Sequence, residues 1–330
     1  MNRTLKQLLR LTGAVALSSL FAASGAWSQT DTWPSRPVKI LVGFPAGGAS
    51  DVMARLIGNK LSPALGVPVV IENRPGAAGT LAASVTARAP ADGYTLLLAS
   101  PTAVTLAPST MAGKINYDPA KDLAPISMVA KYPLFLVARP GLGVKNMAEL
   151  VQKAKAAPGK INFASFGTVT SGGLAVEQLK LKAGIDVLHV PFNGSAPALQ
   201  ALMGDNVDLM FDTAVTAMPN MRSGRLVGLA VSSPNRSPMA PDLAPVADTV
   251  SGFEADSWNG LMAPAGTPAA VIARIQGAIA KFVHDKDMVE RFATMGADPV
   301  GNSTSDFAQF LKAETAQYAR IVKEANIKVE

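Results

Sequence analysis

The residues best placed for chemistry are runs of glycine, serine and threonine that follow short apolar segments, and they contain no cation. Residues 43–52 read GFPAGGASDV, directly after VKILV and ahead of a stretch with helical spacing. A turn of this kind sets the unpaired N–H groups of a helix amino end at the carboxyl end of a strand. There, roughly half a positive charge can hold an anion without lysine or arginine. Gly47 and Gly48 let the backbone approach a ligand, and Ser50 can cap the helix or donate a hydrogen bond. The competing reading is that Gly47, Gly48 and Ser50 make a tight turn and a cap only, and these residues alone leave both open. A second run, SFGTVTSGG from Ser165, puts the hydroxyls of Ser165, Thr168, Thr170 and Ser171 within seven residues. That is more than capping needs and favours ligand contact, although serine and threonine also satisfy turn backbones locally.

Catalytic constellations are absent. There is no G-x-S-x-G, no G-x-x-x-x-G-K-[ST] and no G-x-G-x-x-G at 43–48, and with zero cysteines a thiol nucleophile is impossible. Of the two histidines, His189 lies in the apolar run DVLHVPF and His284 in the surface-like run VHDKD, and both are read as structural or solvent-facing. No spacing of histidines or carboxylates resembles a metal site, so neither metal nor cofactor is expected. Asp51, Asp208 and Asp212 are the acids near turns. Asp51 suits a helix start electrostatically, whereas Asp212 could meet a ligand amine or hydroxyl or bond to the backbone of the next helix.

The chain has 330 residues, 48% hydrophobic and 16% charged, enough for one large or two medium domains. Residues 1–28 carry Arg3, Lys6 and Arg10, then an apolar stretch from Leu11, then small residues at Ala26 and Ser28. They read as a cleaved secretory signal ending near Ser28 and so predict export. The apolar part is interrupted and shorter than the ~20 residues that cross a bilayer. Without those three cations, 30 basic residues become 27 against 24 acidic ones, and the net charge falls from +6 to about +3. Nucleic-acid binding is not expected, because there is no polybasic run and no aromatic and arginine stripe.

Along the chain, short apolar strands alternate with helical stretches, as in VKILVGF, SDVMARLIGNKLSPAL, VPVVIEN, GTLAASVTARA and YTLLLAS. This predicts an α/β fold of parallel strands with crossover helices. At PISMVAKYPLFLVA the chain leaves one domain for another, and a second series follows: NMAELVQKAKAA, INFASF, LAVEQLKLKAG, DVLHVPF, APALQALMGD, VDLMFD and RLVGLAVSS. The tail reverts to helix and returns to the first domain. The expected division is a leader at 1–28, a discontinuous first domain at 29–131 and 256–330, and a second domain at 132–255. Two αβ domains joined by two crossings form a hinged ligand binder whose two turns would face each other across a cleft.

The ordered set WPSRPVKILVGFPAGGASDVMARLIGNKL, VVIENRPGAAGT, DGYTLLLAS, YDPAKDLAPIS, VPFNGSAPALQALMGDNVDLMFD and APAGTP resembles the Bug family, periplasmic solute receptors of tripartite tricarboxylate transporters. The likeness runs from Trp33 to the C-terminus. It implies a type II periplasmic-binding-protein fold closing on a small carboxylate, held largely by backbone N–H groups and ordered water, without catalysis. Carried onto this chain, the first loop is Phe44, Pro45, Ala46, Gly47, Gly48, Ala49, Ser50 and Asp51. The second is Ser100, Pro101 and Thr102. Those of the other domain are Ser165, Phe166, Gly167, Thr168 and Thr170, then Phe192, then Asp212. This chain departs from the family pattern where Phe166 replaces a small residue and Gly172-Gly173 replaces a Ser-His pair, and contacts inferred from that pair do not carry over.

Four of the 12 phenylalanines, Phe44, Phe166, Phe192 and Phe211, fall on or beside these loops. If two or more line the cleft, its walls are apolar and its ends polar, which favours an aromatic or medium-chain carboxylate, dicarboxylates included, over citrate. The competing reading is that strand alternation buries Phe192 and Phe211. The expected partners are the carboxylate and the membrane subunits of a transporter; a signalling receptor presenting its closed form to a sensor protein has the same sequence features. A monomer is expected.

Overall fold

The structure is a computed structural model that describes residues 33–47, 49–192, 195–325 and 327. The expected leader at 1–28 and Gly48 lie outside the described residues. From Arg36 onward the chain is one unit built on two sheets. The first sheet has the order β11-β4-β10-β3-β1-β2. Its members are β1 (Val38–Val42), β2 (Val69–Asn73), β3 (Thr95–Ala99), β4 (Leu123–Tyr132), β10 (Ser257–Pro264) and β11 (Asp298–Pro299). The second has the order β7-β6-β8-β5-β9, from β5 (Leu134–Ala138), β6 (Asn162–Ser165), β7 (Leu188–Pro191), β8 (Leu209–Thr213) and β9 (Val227–Val231).

In β1, every residue but Lys39 is buried, because helices cover both faces of the sheet. The following helix, α1 (Ala49–Leu65), buries Met53, Ala54, Ile57, Leu61 and Leu65, a stripe at helical spacing. It stops at Gly66, whose φ of 77° is the left-handed closure that glycine allows most cheaply. Helix α2 (Thr80–Ala87) joins β2 to β3. In the second sheet, α3 (Met147–Ala156), α4 (Ser171–Ala183), α5 (Ser195–Met203) and α6 (Ala214–Arg222) do the same work. The chain ends in α7 (Ala269–Phe282), α8 (Lys286–Thr294) and α9 (Thr304–Glu324).

Two features differ from the sequence expectation. Only part of each sheet is parallel: β1 pairs in parallel with β2 and β3, and β6 with β7 and β8, but β10 runs antiparallel to β3 and β4, and β5 antiparallel to β8 and β9. The antiparallel members belong to the crossings. β4 passes through Pro133 into β5 of the other sheet, and β10 brings the chain back. Strand β10 and helix α6 also lacked a sequence signal. Seven of the eight residues of SWNGLMAP are buried, so no alternation survives. Gly260 is required there, since a Cβ on it would lie 2.4 Å from Phe307 Cζ.

The two crossings are stitched together. Leu134 N–H donates to Ser232 Oγ at 2.8 Å, Ser232 N–H to the Leu134 carbonyl at 2.8 Å, and Ser232 Oγ to Asp256 Oδ1 at 2.9 Å. Burial pushes the Asp256 carboxyl up to about 7. Helix α9 packs on the first sheet yet also reaches α4, where Leu106, Leu174, Tyr318 and Ile321 form one small apolar cluster. No described helix is long and apolar enough to cross a membrane.

Candidate functional site

Three turns of the first sheet converge at the carboxyl ends of β1, β2 and β3. A Cβ on Gly43 would fall 2.4 Å from Gly79 Cα, so the first two turns touch backbone to backbone. The Phe44 ring lies over Gly79, with Cε2 and Cζ at 3.5 and 3.6 Å from where a Cβ would stand, and Ala103 is next to it at 3.7 Å. The middle turn carries left-handed residues in succession: Ala77 (φ 44°), Ala78 (φ 56°) and Gly79 (φ 93°). Non-glycine residues held there are strained, and such backbone collects at ligand sites. This turn, RPGAAG at 74–79, was missed as a site element; its small-residue run after β2 was the available signal.

Asp51 braces the first turn from behind. It is 3% exposed and accepts the Gly47 N–H, the Arg55 guanidinium and the Asn73 amide, each at 2.9–3.0 Å. The hydrogen bond from Arg55 and those from Gly47 and Asn73 outweigh burial and hold its carboxyl down at about 2. Asn73 also donates to the Phe44 carbonyl at 3.0 Å. The Gly47 N–H is thus engaged by Asp51, which fixes the backbone that was expected to approach a ligand. Ala46 and Gly47 are exposed, and Phe44 and Ser50 half-buried.

In the third turn, Ser100 and Pro101 are buried and only Thr102 remains partly open. Residues Thr102–Leu106 are wound as a π-helix, a form frequent at functional sites. It is held by Thr105 Oγ1, which donates to Glu314 Oε2 at 2.7 Å; Trp258 Nε1 donates to the same oxygen at 2.7 Å. Burial raises Glu314 to about 7.

The second sheet brings Ser165, Phe166, Gly167, Thr168, Thr170 and Phe192 together. Phe192 N–H donates to the Ser165 carbonyl at 2.9 Å, and Thr170 Oγ1 donates to the Gly167 carbonyl at 2.7 Å while accepting from Gly173 N–H at 3.2 Å. Thr170 is the N-cap of α4. Ser165 is fully buried, with its hydroxyl between Gly167 and His189 Nε2, the latter at 2.7 Å. The excess of hydroxyls that favoured ligand contact is thus partly spent on the turn itself, by Ser165 and Thr170; Thr168 remains half-exposed. His189 is structural, as expected: its Nδ1 meets Glu177 Oε1 at 2.8 Å. Burial opposes the charge on Glu177, but the His189 hydrogen bond and Lys180 hold its carboxyl below the usual range.

Asp212 is the penultimate residue of β8, the strand beside β6. It is fully buried, its Oδ1 accepting Ser195 Oγ at 2.5 Å and Thr213 N–H at 2.9 Å, and burial raises its pKa. The bond to Thr213, first residue before α6, follows the backbone-bonding reading. Asp208 is likewise structural, paired with Arg139 at 2.7 Å and accepting Asn162 N–H. Of the four phenylalanines, Phe211 is withdrawn from the site: it stacks between Phe163 and Phe253, centroids 5.4 and 5.7 Å away, in the core. Phe44, Phe166 and Phe192 are half-buried at the strand ends.

The cavities among the described residues lie elsewhere, and two of them flank α9. One of about 230 Å³ is bounded by Lys131, Asp256, Glu314 and Tyr318, and an apolar groove of about 590 Å³ runs beside α9 past Pro108, Leu123 and Leu311. None of the expected site residues lines either. Among the described residues, no three histidines or acids cluster as metal ligands.

Known proteins match this architecture over most of the chain. The family model described as "Tripartite tricarboxylate transporter family receptor" matches residues 53–327. Protein BugT of Bordetella pertussis is 34% identical over 324 residues, covering 98% of this chain and 99% of BugT. A structure from R. palustris solved with adipate superposes with a TM-score of 0.79 at 33% identity, covering 90% of this chain and 99% of that one. MatC from Rhodopseudomonas palustris, solved with bound malate, gives a TM-score of 0.74 at 32% identity, covering 88% and 100%. With its two-domain α/β fold, its mixed sheets and its paired strand-turn-helix units, the chain belongs to the TctC family of periplasmic solute-binding receptors.

Proposed function

We propose that this chain is a periplasmic receptor that captures a small carboxylate between the turns of its two domains, closes on it, and delivers it to the membrane subunits of a tripartite tricarboxylate transporter. The observation that carries the reading is positional. Leu106, which ends the π-helical turn of the first sheet, and Leu174, in the first turn of α4, share one apolar cluster with α9. The helical segments that follow a turn of each sheet therefore pack against the same helix, α9. Neutral backbone donors in these turns suit a carboxylate, and closure is favoured because only the closed form brings both sets to the ligand. On this reading the chain divides into a leader at 1–28, removed on export, a discontinuous first domain at 29–131 and 256–330, and a second domain at 132–255. The chain binds and releases its ligand unchanged.

Half-buried Phe44, Phe166 and Phe192 at the strand ends favour an aromatic or medium-chain carboxylate over citrate. A thermal-shift panel tests this. Stabilisation by adipate, hexanoate or benzoate is expected; a response to citrate alone would refute the preference, and a response to no carboxylate would refute the receptor reading.

A further inference from the structure

The turn of the second sheet closes the helix end it was expected to open. A Cβ built on Gly172 would fall 2.4 Å from Phe166 Cε1, 2.6 Å from Cζ and 3.0 Å from Cδ1, so the ring is seated directly on this glycine. The next glycine lies under the turn itself: a Cβ on Gly173 would fall 2.2 Å from the Gly167 carbonyl oxygen and 2.4 Å from that of Thr168. Ser171, Gly172 and Gly173 are all buried. Two N–H groups of the first turn are already engaged, Gly173 with Thr170 Oγ1 at 3.2 Å and Leu174 with the Thr170 carbonyl at 2.9 Å. The Gly172-Gly173 pair is thus the counterpart of Phe166: the small residues exist so that the ring and the turn can fold back on the helix.

The consequence is chemical. Phe166 packs against both apolar layers of this domain yet remains half-exposed, so an aromatic surface is presented where an open helix end would present N–H donors. The parallel β6–β8 register pairs Phe163 with Leu209 and Ala164 with Met210, and Phe166 follows the last residue of β6, at the mouth of the turn. A carboxylate arriving here would lose water against a ring, which is unfavourable. An apolar group in the same place gains by burial.

We propose that Phe166, seated on Gly172, is a specificity-determining residue that selects a carboxylate whose far end is apolar over a dicarboxylate of the same length. This rests on the carboxylate-receptor reading above. The first-sheet turns hold the carboxylate, and Phe166 decides what its other end is.

Titration calorimetry with two matched pairs, hexanoate against adipate and benzoate against terephthalate, tests the selection. The native chain should bind the monocarboxylate of at least one pair tenfold or more tighter than its partner. Phe166→Ser should shift that ratio tenfold or more toward the dicarboxylate, whereas Phe166→Leu, which keeps an apolar filling, should retain the native ratio. Gly172→Ala displaces the ring and should move the ratio in the same direction as Phe166→Ser, so the proposal does not depend on one variant folding. A native preference for both dicarboxylates, or a ratio indifferent to Phe166→Ser and Gly172→Ala, overturns the proposal while leaving the receptor reading intact. Binding of none of the four acids overturns the proposal, and the receptor reading falls with it only if no carboxylate in the thermal-shift panel, citrate included, stabilises the chain.

Discussion

The two halves of the molecule repeat one unit, a strand, a small-residue turn and a helix, and brace it differently. In the first, the turn after β1 is tied to a charged anchor: Asp51 gathers Gly47, Arg55 and Asn73, and the neighbouring turn presses on it through Gly43 and Gly79. In the second, the turn after β6 is tied by Ser165, His189 and Thr170, and an aromatic ring roofs the helix. The first half has exposed backbone at Ala46 and Gly47 and strained backbone at Ala77 and Ala78. The second presents side chains. Similar local sequence patterns therefore end in exposed backbone in one half and in rings and hydroxyls in the other, which on the proposed reading suits a ligand with two unlike ends.

The comparison can be broken most severely at Phe211, which belongs to the core of the second half and not to its wall. Phe211→Ala should cost about 4 kcal/mol in denaturant unfolding, the range for a fully buried aromatic, and leave the rank order of bound acids unchanged. Gly43→Ala strikes the first half where two backbones meet and neither can yield. A loss of about 3 kcal/mol is expected, at the upper end for overpacking, together with loss of carboxylate binding by calorimetry.

Asp51→Asn removes the charged anchor and should cost about 2 kcal/mol at neutral pH. The pH dependence carries the sign. A carboxyl held at about 2 in the folded chain, against 3.8 ordinarily, stabilises the fold above pH about 4 and loses that contribution as pH falls through about 2. The native chain should lose stability more steeply than Asp51→Asn across this acid range; parallel melting curves would remove Asp51 from its role. The smallest effect is expected at Thr170→Ala, about 1 kcal/mol for the lost cap, because the α4 carbonyl-to-amide bond at Leu174 persists.

These contrasts also explain what the sequence could disclose. Strands β1, β3, β5 and β8, the helices between them and the return of the tail were readable, because apolar runs and helical stripes follow from burial. Strand β10 was not, since it is buried on both faces and interrupted by Asn259 and Gly260, which serve partners distant in sequence: Asn259 reaches the Ala99 carbonyl and Gly260 makes room for Phe307. The site was legible as glycine and hydroxyl turns at strand ends. Which donors remain free was not, because Gly47 is claimed by a side chain four residues on and Ser165 by a histidine 24 residues on. Phe211 and Phe166 look alike in sequence, and only the stacking of one between Phe163 and Phe253 and the seating of the other on Gly172 separate core from wall.

The central claim, that the two unlike walls hold one small carboxylate and release it unchanged, is tested most directly by native mass spectrometry of the exported protein. The account predicts a single retained acid at one per chain, displaced by added carboxylate and recovered intact on unfolding. Retention of a non-acidic molecule, or recovery of the acid in chemically altered form, would contradict it.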